Sequence, residues 1–151
     1  MVAGCNLDAA LEAVGERWSF LILRGAFNGA RHFEQFQSVL GIARNVLANR
    51  LARLVEHGIL ERLPCLDDRR RVEYRLTPKG EALLPAVVAL RQWGDRWGCE
   101  QPPKARLVDD RDNRPIAEVR VHAHDGRVLG LGDMHWEPAE AVQPLAEASA
   151  A

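Results

Sequence analysis

Between Ala43 and His57 the chain repeats its apolar residues at helical spacing, with Val46, Leu47, Leu51, Leu54 and Val55 on one face and Arg44, Asn45, Asn49, Arg50 and Arg53 on the other. A helix of this kind has to bury its first face in a core supplied by its neighbours. Its second face then points away from that core, carrying long hydrogen-bond donors and almost no acids. The rest of the chain must therefore build a floor under one side of this helix and leave the other side open.

The flanking segments have the pattern to do so. Leu7, Leu11 and Val14 fall on one stripe of a short helix that Asn6 is placed to cap and Gly15 to end. Arg17 to Phe27 is apolar nearly all round, as a helix inside a core is, and Asn28-Gly29 supplies the turn after it. Phe33, Phe36, Val39 and Leu40 form a third stripe, with Gly41 at the position of a helix C-cap. After Gly58 the pattern changes to two short extended pieces, Ile59 to Leu63 and Val72 to Leu76, separated by Asp67-Asp68-Arg69-Arg70-Arg71. That arrangement predicts a hairpin with a basic tip primed by acids. Thr77 and Pro78 open an apolar helix running towards Trp93 and Trp97, which Pro85 is expected to kink or loosen.

Beyond Trp97 the character differs. Arg106 to Val108, Ile116 to Val121 and Arg127 to Leu131 read as three short strands, the last two joined by Asp125-Gly126. Glu137 to Ala151, rich in Ala, Pro and Glu, reads as a disordered tail. The expected division is thus 1–97, 98–136 and 137–151. A length of 151 residues, 47% hydrophobic and 27% charged, fits one globular domain with such an appendage. The longest apolar run, Leu83 to Leu90, falls far short of the roughly 18 residues of a membrane span. With no basic segment or apolar core of a secretory signal at the start, the expectation is a cytoplasmic protein in a reducing compartment.

The net charge of −1 hides an asymmetry: residues 1–97 hold 14 Lys/Arg against 11 Asp/Glu, whereas residues 98–151 hold 6 against 10. Eight arginines lie between Arg44 and Arg75, a local basic stretch of the kind that faces a polyanion. The last three of the four helical segments, then a hairpin and a further helix, follow the element order of a winged helix-turn-helix domain. The fold class expected is mainly α with a β-hairpin wing and a small C-terminal β appendage. In that architecture the Ala43 to His57 helix lies in the major groove of double-stranded DNA and the hairpin forms the wing.

At these residues the sequence resembles the HxlR-type bacterial transcription regulators, relatives of the MarR group. The resemblance is carried by Cys5, Gly15-Glu16-Arg17-Trp18, Leu21-Ile22-Leu23-Arg24, Arg31-His32-Phe33, Leu40 to Leu47, Arg50-Leu51, Leu54-Val55, Gly58-Ile59-Leu60, Glu73 to Gly80 and Trp93-Gly94. It implies a homodimeric DNA-binding regulator, expected to be a repressor, whose first and last helices make the dimer. It also implies, for part of the family, sensing of electrophiles or oxidants through the cysteine near the N-terminus. A proline pair common in the family's wing is missing here, where the chain reads Asp67 to Arg71.

The expected DNA contacts are Arg44, Asn45, Asn49, Arg50 and Arg53 in the groove, where Arg pairs bidentately with guanine and Asn with adenine. Arg69, Arg70 and Arg71 are expected on phosphate or in the minor groove, with Arg31 and His32 near the backbone or, alternatively, forming a structural turn. Arg50 or Arg53 has the further option of bridging to Glu56. Leu7, Leu11, Leu83, Leu84, Val87, Leu90 and Trp93 exceed what one small core needs and are the candidate dimer interface. Cys5, placed before a helix N-terminus, has two readings: a redox-sensing thiol activated by the helix dipole, or an inert packed residue. A link from Cys5 to Cys99 between chains is one form the first would take, and a ligand pocket lined by Trp18, Trp93 and Trp97 is the alternative signal site. Cys65 reads as a bystander. The three cysteines lack zinc-ligand spacing, so neither a metal nor another cofactor is expected. Two competing readings are a winged-helix protein-interaction module without DNA binding and a metal-dependent enzyme using His122, His124, Asp125 and His135. The second lacks any nucleophile-base-orienter set, and the protein is expected not to be an enzyme.

Overall fold

The computed structural model of the chain describes residues 6–66, 68, 70–98 and 102–142. The expectations for Cys5, Arg69, Cys99 and residues 143–151 lie outside the described residues. The chain divides between Lys104 and Ala105 into two units.

The first unit runs α1 (Leu7–Val14), α2 (Arg17–Phe27), α3 (Phe33–Leu40), α4 (Arg44–Glu56), β1 (Leu60–Pro64), β2 (Val72–Leu76), α5 (Pro78–Glu81) and α6 (Leu84–Trp93), followed by a π-helical turn, Gly94–Gly98. Its core collects one stripe from each element: Ile22, Leu23 and Ala26 of α2, Phe36 of α3, Leu47, Leu51 and Leu54 of α4, and Ile59 and Leu60 at the entry to β1. Fully burying one such Leu, Ile or Phe stabilises the fold by about 1.5–3 kcal/mol. Close approach of α2 and α3 depends on Gly25, where a Cβ would stand 3.3 Å from the Phe36 ring.

Two glycines set the path into and out of α4. Gly41, at φ +60°, caps α3 by donating its N–H to the Gln37 carbonyl, and the chain then turns through buried Ile42 into α4. Gly58, at φ +67°, ends α4 and delivers Ile59, whose N–H reaches the Leu54 carbonyl at 2.9 Å. β1 and β2 pair antiparallel from Leu60↔Leu76 to Pro64↔Val72. The hairpin is tied to the helices by the Tyr74 N–H, which donates to the Arg31 carbonyl at 2.7 Å, and by the Tyr74 ring edge against Phe36.

Thr77 caps α5 as expected, its Oγ1 accepting from the Gly80 N–H while its hydroxyl donates to the Gly58 carbonyl at 2.6 Å. Three expectations are corrected here. The single helix from Thr77 towards Trp97 is two helices and a π-turn: the chain stops at Glu81 and restarts at Leu84, so that Pro85 sits in a first turn where its missing N–H costs nothing. Asn6 precedes α1 but makes no side-chain cap, because its backbone is already helical (φ −69°, ψ −1°). The third correction concerns the second unit.

Within residues 105–142 the three expected strands are not formed as ladders. Two isolated antiparallel bridges stand in their place, Val108↔Pro115 and His122↔Val128, the latter closed by Gly126 at φ +87°. Val119, Val121, Val128 and Leu131 are all exposed, so alternation has no buried face to reward it. Two short 3₁₀ turns, Leu131–Asp133 and Ala139–Ala141, follow.

Candidate nucleic-acid interface

α4 holds its five polar candidates in two groups. Arg44, Asn45 and Asn49 are exposed on the outer face, with small Ala48 and Ala52 between and beyond them. Arg50 and Arg53 turn instead towards the first two helices. Arg50 Nη1 lies 2.7 Å from Glu16 Oε1, and Arg53 Nη2 donates to the Glu12 backbone carbonyl at 3.0 Å. Neither bridges to Glu56. These two arginines clamp α4 against α1 and the start of α2, and Arg50 Nε is buried without an acceptor among the described residues.

The N-terminus of α4 opens on a cleft of about 520 Å³ between the start of α3 and the wing, lined by Arg44, Arg62, Arg70 and Arg71, with Glu34 as its one acid. None of those four arginines has a carboxylate partner among the described residues. Arg44 lies over the Phe33 ring, 4.8 Å from its centroid, a contact that steadies the guanidinium without neutralising it. The Asp68 carboxylate accepts the Arg70 backbone N–H at 3.0 Å, so it shapes the tip of the hairpin rather than masking the Arg70 side chain. The first residues of α3 and α4, Phe33 and Arg44, both line this cleft. Arg62 belongs to the basic stretch but is not among the expected DNA contacts; its pairing across to Tyr74 is what brings it beside the cleft.

Arg31 and His32 behave as a built turn. Arg31 Nη1 donates to the Ala26 and Ala30 carbonyls at 2.8 and 3.1 Å, and Gln35 Oε1 accepts the N–H groups of both residues. The His32 ring faces the wing, its Nδ1 3.1 Å from the Val72 carbonyl oxygen. Buried Cys65 stands close to the same ring.

Of the dimer candidates, Leu7, Leu11, Leu84, Leu90 and Trp93 are exposed, Leu7 to 58% and Trp93 to 63%, whereas Leu83 and Val87 pack in part against the chain's own core. Trp18 is packed on that core too, while Trp97 is exposed. His122, His124, Asp125 and His135 are all exposed, and among the described residues they do not form a group of three or more donors close enough to share an ion. His122 Nδ1 pairs with the Gly126 carbonyl and His135 Nε2 with Glu137.

A sequence profile of the HxlR-like helix-turn-helix family matches residues 13–102. The chain belongs to that family. One relative is an uncharacterized HTH-type transcriptional regulator of Mycobacterium bovis, 51% identical over 94 residues, which are 62% of this chain and 60% of the relative. The chain therefore spans less than two thirds of the length of the curated relative it matches. The crystal structure of PA1607, a candidate transcription factor, superposes with a TM-score of 0.85 at 40% identity, covering 89% of this chain and 95% of PA1607. The redox regulator HypR in its reduced form matches with a TM-score of 0.53 at 26% identity over 60% of this chain and 90% of HypR. Among the described residues no helix is long and apolar enough to cross a membrane.

Proposed function

We propose that this protein is a sequence-specific DNA-binding transcription regulator that acts as a homodimer. The observation that carries the reading is the arrangement of α4 and the wing: exposed Arg44, Asn45 and Asn49 continue into a cleft with Arg62, Arg70 and Arg71, none of them paired to a carboxylate among the described residues. A protein-interaction module would not need that concentration of unneutralised donors beside a helix N-terminus. α4 reads base edges in the major groove and the wing holds the phosphate backbone.

The homodimer rests on the exposed apolar residues of α1 and α6, which pair two chains about a two-fold axis and space the reading helices by about one DNA turn, roughly 34–36 Å. The signal is either thiol modification at Cys5, in line with the redox regulation that the name of HypR states for that protein, or a small ligand near Trp18, Trp93 and Trp97. Repression of its target genes is the expected sign of regulation.

Selection of bound sites from a random DNA pool tests the reading. A two-fold symmetric site is expected. Arg44→Ala or Asn49→Ala then relaxes preference at individual positions by about 1–3 kcal/mol, whereas Arg70→Ala weakens all sequences alike and lowers the salt slope by about one unit. Equal, salt-insensitive losses from all three variants, or a monomer in sedimentation at micromolar concentration, would falsify the corresponding half of the proposal. DNA affinity before and after mild peroxide or quinone, in wild type and in Cys5→Ser, separates the thiol signal from the ligand.

A further inference from the structure

Where the wing meets the start of α3, beside the cleft that His32 also lines, a second constellation is assembled. One nitrogen of His32, Sγ of Cys65 and a carboxylate oxygen of Glu73 all lie within 4.8 Å of one another. They come from three places in the chain: His32 precedes α3, Cys65 follows β1, and Glu73 lies on β2. Cys65 is buried and the other two are half-buried. We propose that these three side chains form a binding site for a divalent transition metal ion of the zinc class, which fastens the wing to the helix-turn-helix.

The donor chemistry selects the metal. A thiolate, an imidazole and a carboxylate form a borderline-soft set that suits zinc, cobalt or nickel and is wrong for magnesium or calcium, which require oxygen ligands throughout. Bound tetrahedrally, with distances to the metal of about 2.0–2.3 Å, such donors stand roughly 3.5 Å apart. Donors already within 4.8 Å reach that spacing by small side-chain rotations. Binding replaces the Cys65 S–H bond with an S–metal bond and releases that proton to solvent. The thiolate and the carboxylate together then balance the two positive charges of the ion.

The groups around the three donors are arranged as the outer shell of a metal site is. In the tautomer that donates from Nδ1 to the Val72 carbonyl, 3.1 Å away, Nε2 keeps its lone pair for a ligand. Arg75 holds Glu73 through Oε2, with Nε at 2.9 Å and Nη2 at 2.7 Å, so that Oε1 stays outside that pair. A pocket of about 420 Å³ lined by Cys65, Glu73 and Leu63 gives an ion a path from solvent, and three protein ligands leave a fourth position for water. The sequence could not reveal this set, because no two of its members have ligand spacing along the chain. Any effect of the metal on DNA affinity rests on the function proposed above, but the site itself does not.

The test is titration of the full-length, chelator-stripped, reduced protein with Co²⁺, followed by competition with Zn²⁺. One Co²⁺ per chain is expected, with a thiolate-to-cobalt absorption band in the near ultraviolet and intense visible bands of a four-coordinate ion, all removed by Zn²⁺. Cys65→Ser should lose the near-ultraviolet band, and His32→Gln or Glu73→Gln should weaken Co²⁺ binding at least tenfold while the circular dichroism stays that of wild type. The double variant Cys5→Ser/Cys99→Ser should keep the band. Hydrogen exchange provides a readout of the fastening: Zn²⁺ should slow exchange at the Tyr74 and Cys65 amides in wild type and not in Glu73→Gln. No thiolate band in wild type, a band that survives Cys65→Ser, or a band lost in Cys5→Ser/Cys99→Ser overturns the proposal.

Discussion

Both units of the chain are rich in arginine, and they use it in opposite ways. In residues 105–142 each arginine that follows an acid by two positions is held by it: Arg111 by Asp109 at 3.0 Å, Arg120 by Glu118 at 2.7 Å and Arg127 by Asp125 at 2.8 Å, with Arg114 at 3.7 Å from Asp112. In the cleft between α4 and the wing, the side chains of Arg44, Arg62, Arg70 and Arg71 have no carboxylate partner among the described residues, although Asp68 stands two positions before Arg70 and accepts its backbone N–H. The difference teaches that the arginine content of a segment says little about its use. An acid whose carboxylate reaches the guanidinium neutralises an arginine locally and weakens its long-range field. An arginine whose nearest acids face elsewhere keeps its charge for a polyanion. The units also differ in burial, since the first has a core under α4 and the second leaves its apolar side chains in solvent.

The largest test of that contrast is mechanical. Phe36→Ala empties the centre of the first unit, where the side chain is fully buried, and should cost about 3–5 kcal/mol in denaturant unfolding. Leu131→Ala, at a side chain 92% exposed, should change stability by no more than about 0.5 kcal/mol. A clear loss from Leu131→Ala, growing with protein concentration, would show that a second copy covers the appendage and would break the comparison.

A smaller effect sharpens the electrostatic side. Arg62→Ala should weaken DNA binding and lower the salt slope by about one unit, whereas Arg120→Ala should leave both unchanged. Arg53→Ala should lower stability by roughly 0.5–1.5 kcal/mol through its lost bond to the Glu12 carbonyl, yet keep base preference as in wild type. Equal slope changes from Arg62→Ala and Arg120→Ala would mean that the acid pairs of the second unit open on DNA.

The smallest effect concerns protons. The Arg127 side chain holds the Asp125 carboxyl below the ordinary aspartate range, and the Arg127 backbone N–H adds to it. Asp109 is lowered in the same way by Arg111. A depressed carboxyl stabilises the folded form above its unfolded pKa, and that contribution disappears as pH falls through the folded value. NMR titration of Arg127→Ala should therefore move Asp125 upward and leave Asp109 in place, with little change in global stability because both groups are exposed. Joint movement of the two would indicate one coupled network instead of separate pairs.

Much of the first unit was legible from the sequence. Helical periodicity and terminal residues place α2, α3 and β2 at the bounds observed, and Gly41 and the Thr77-Pro78 pair mark helix ends for reasons confined to the local backbone. The outward face of α4 was legible only as a set of five candidates. Nothing near Arg53 in the sequence shows that its partner is a carbonyl 41 residues earlier. The strands expected after Ala105 failed for a related reason: alternation says which residues share a face, but not whether anything covers that face.

By itself, then, the sequence determined what depends on neighbours within about four residues: helix periods, the Gly41 and Thr77 helix ends, and the strands of the hairpin. Tertiary structure alone decided which arginines of α4 are captured by Glu16 and the Glu12 carbonyl, which join Arg62 in the cleft, and that His32, Cys65 and Glu73 meet. Those outcomes follow from packing α4 on α1 and α2 and docking the wing through Tyr74. The ranges of charge and hydrogen bonding are short, so distance in space selects the partners, and distance in space is set only once the core has closed.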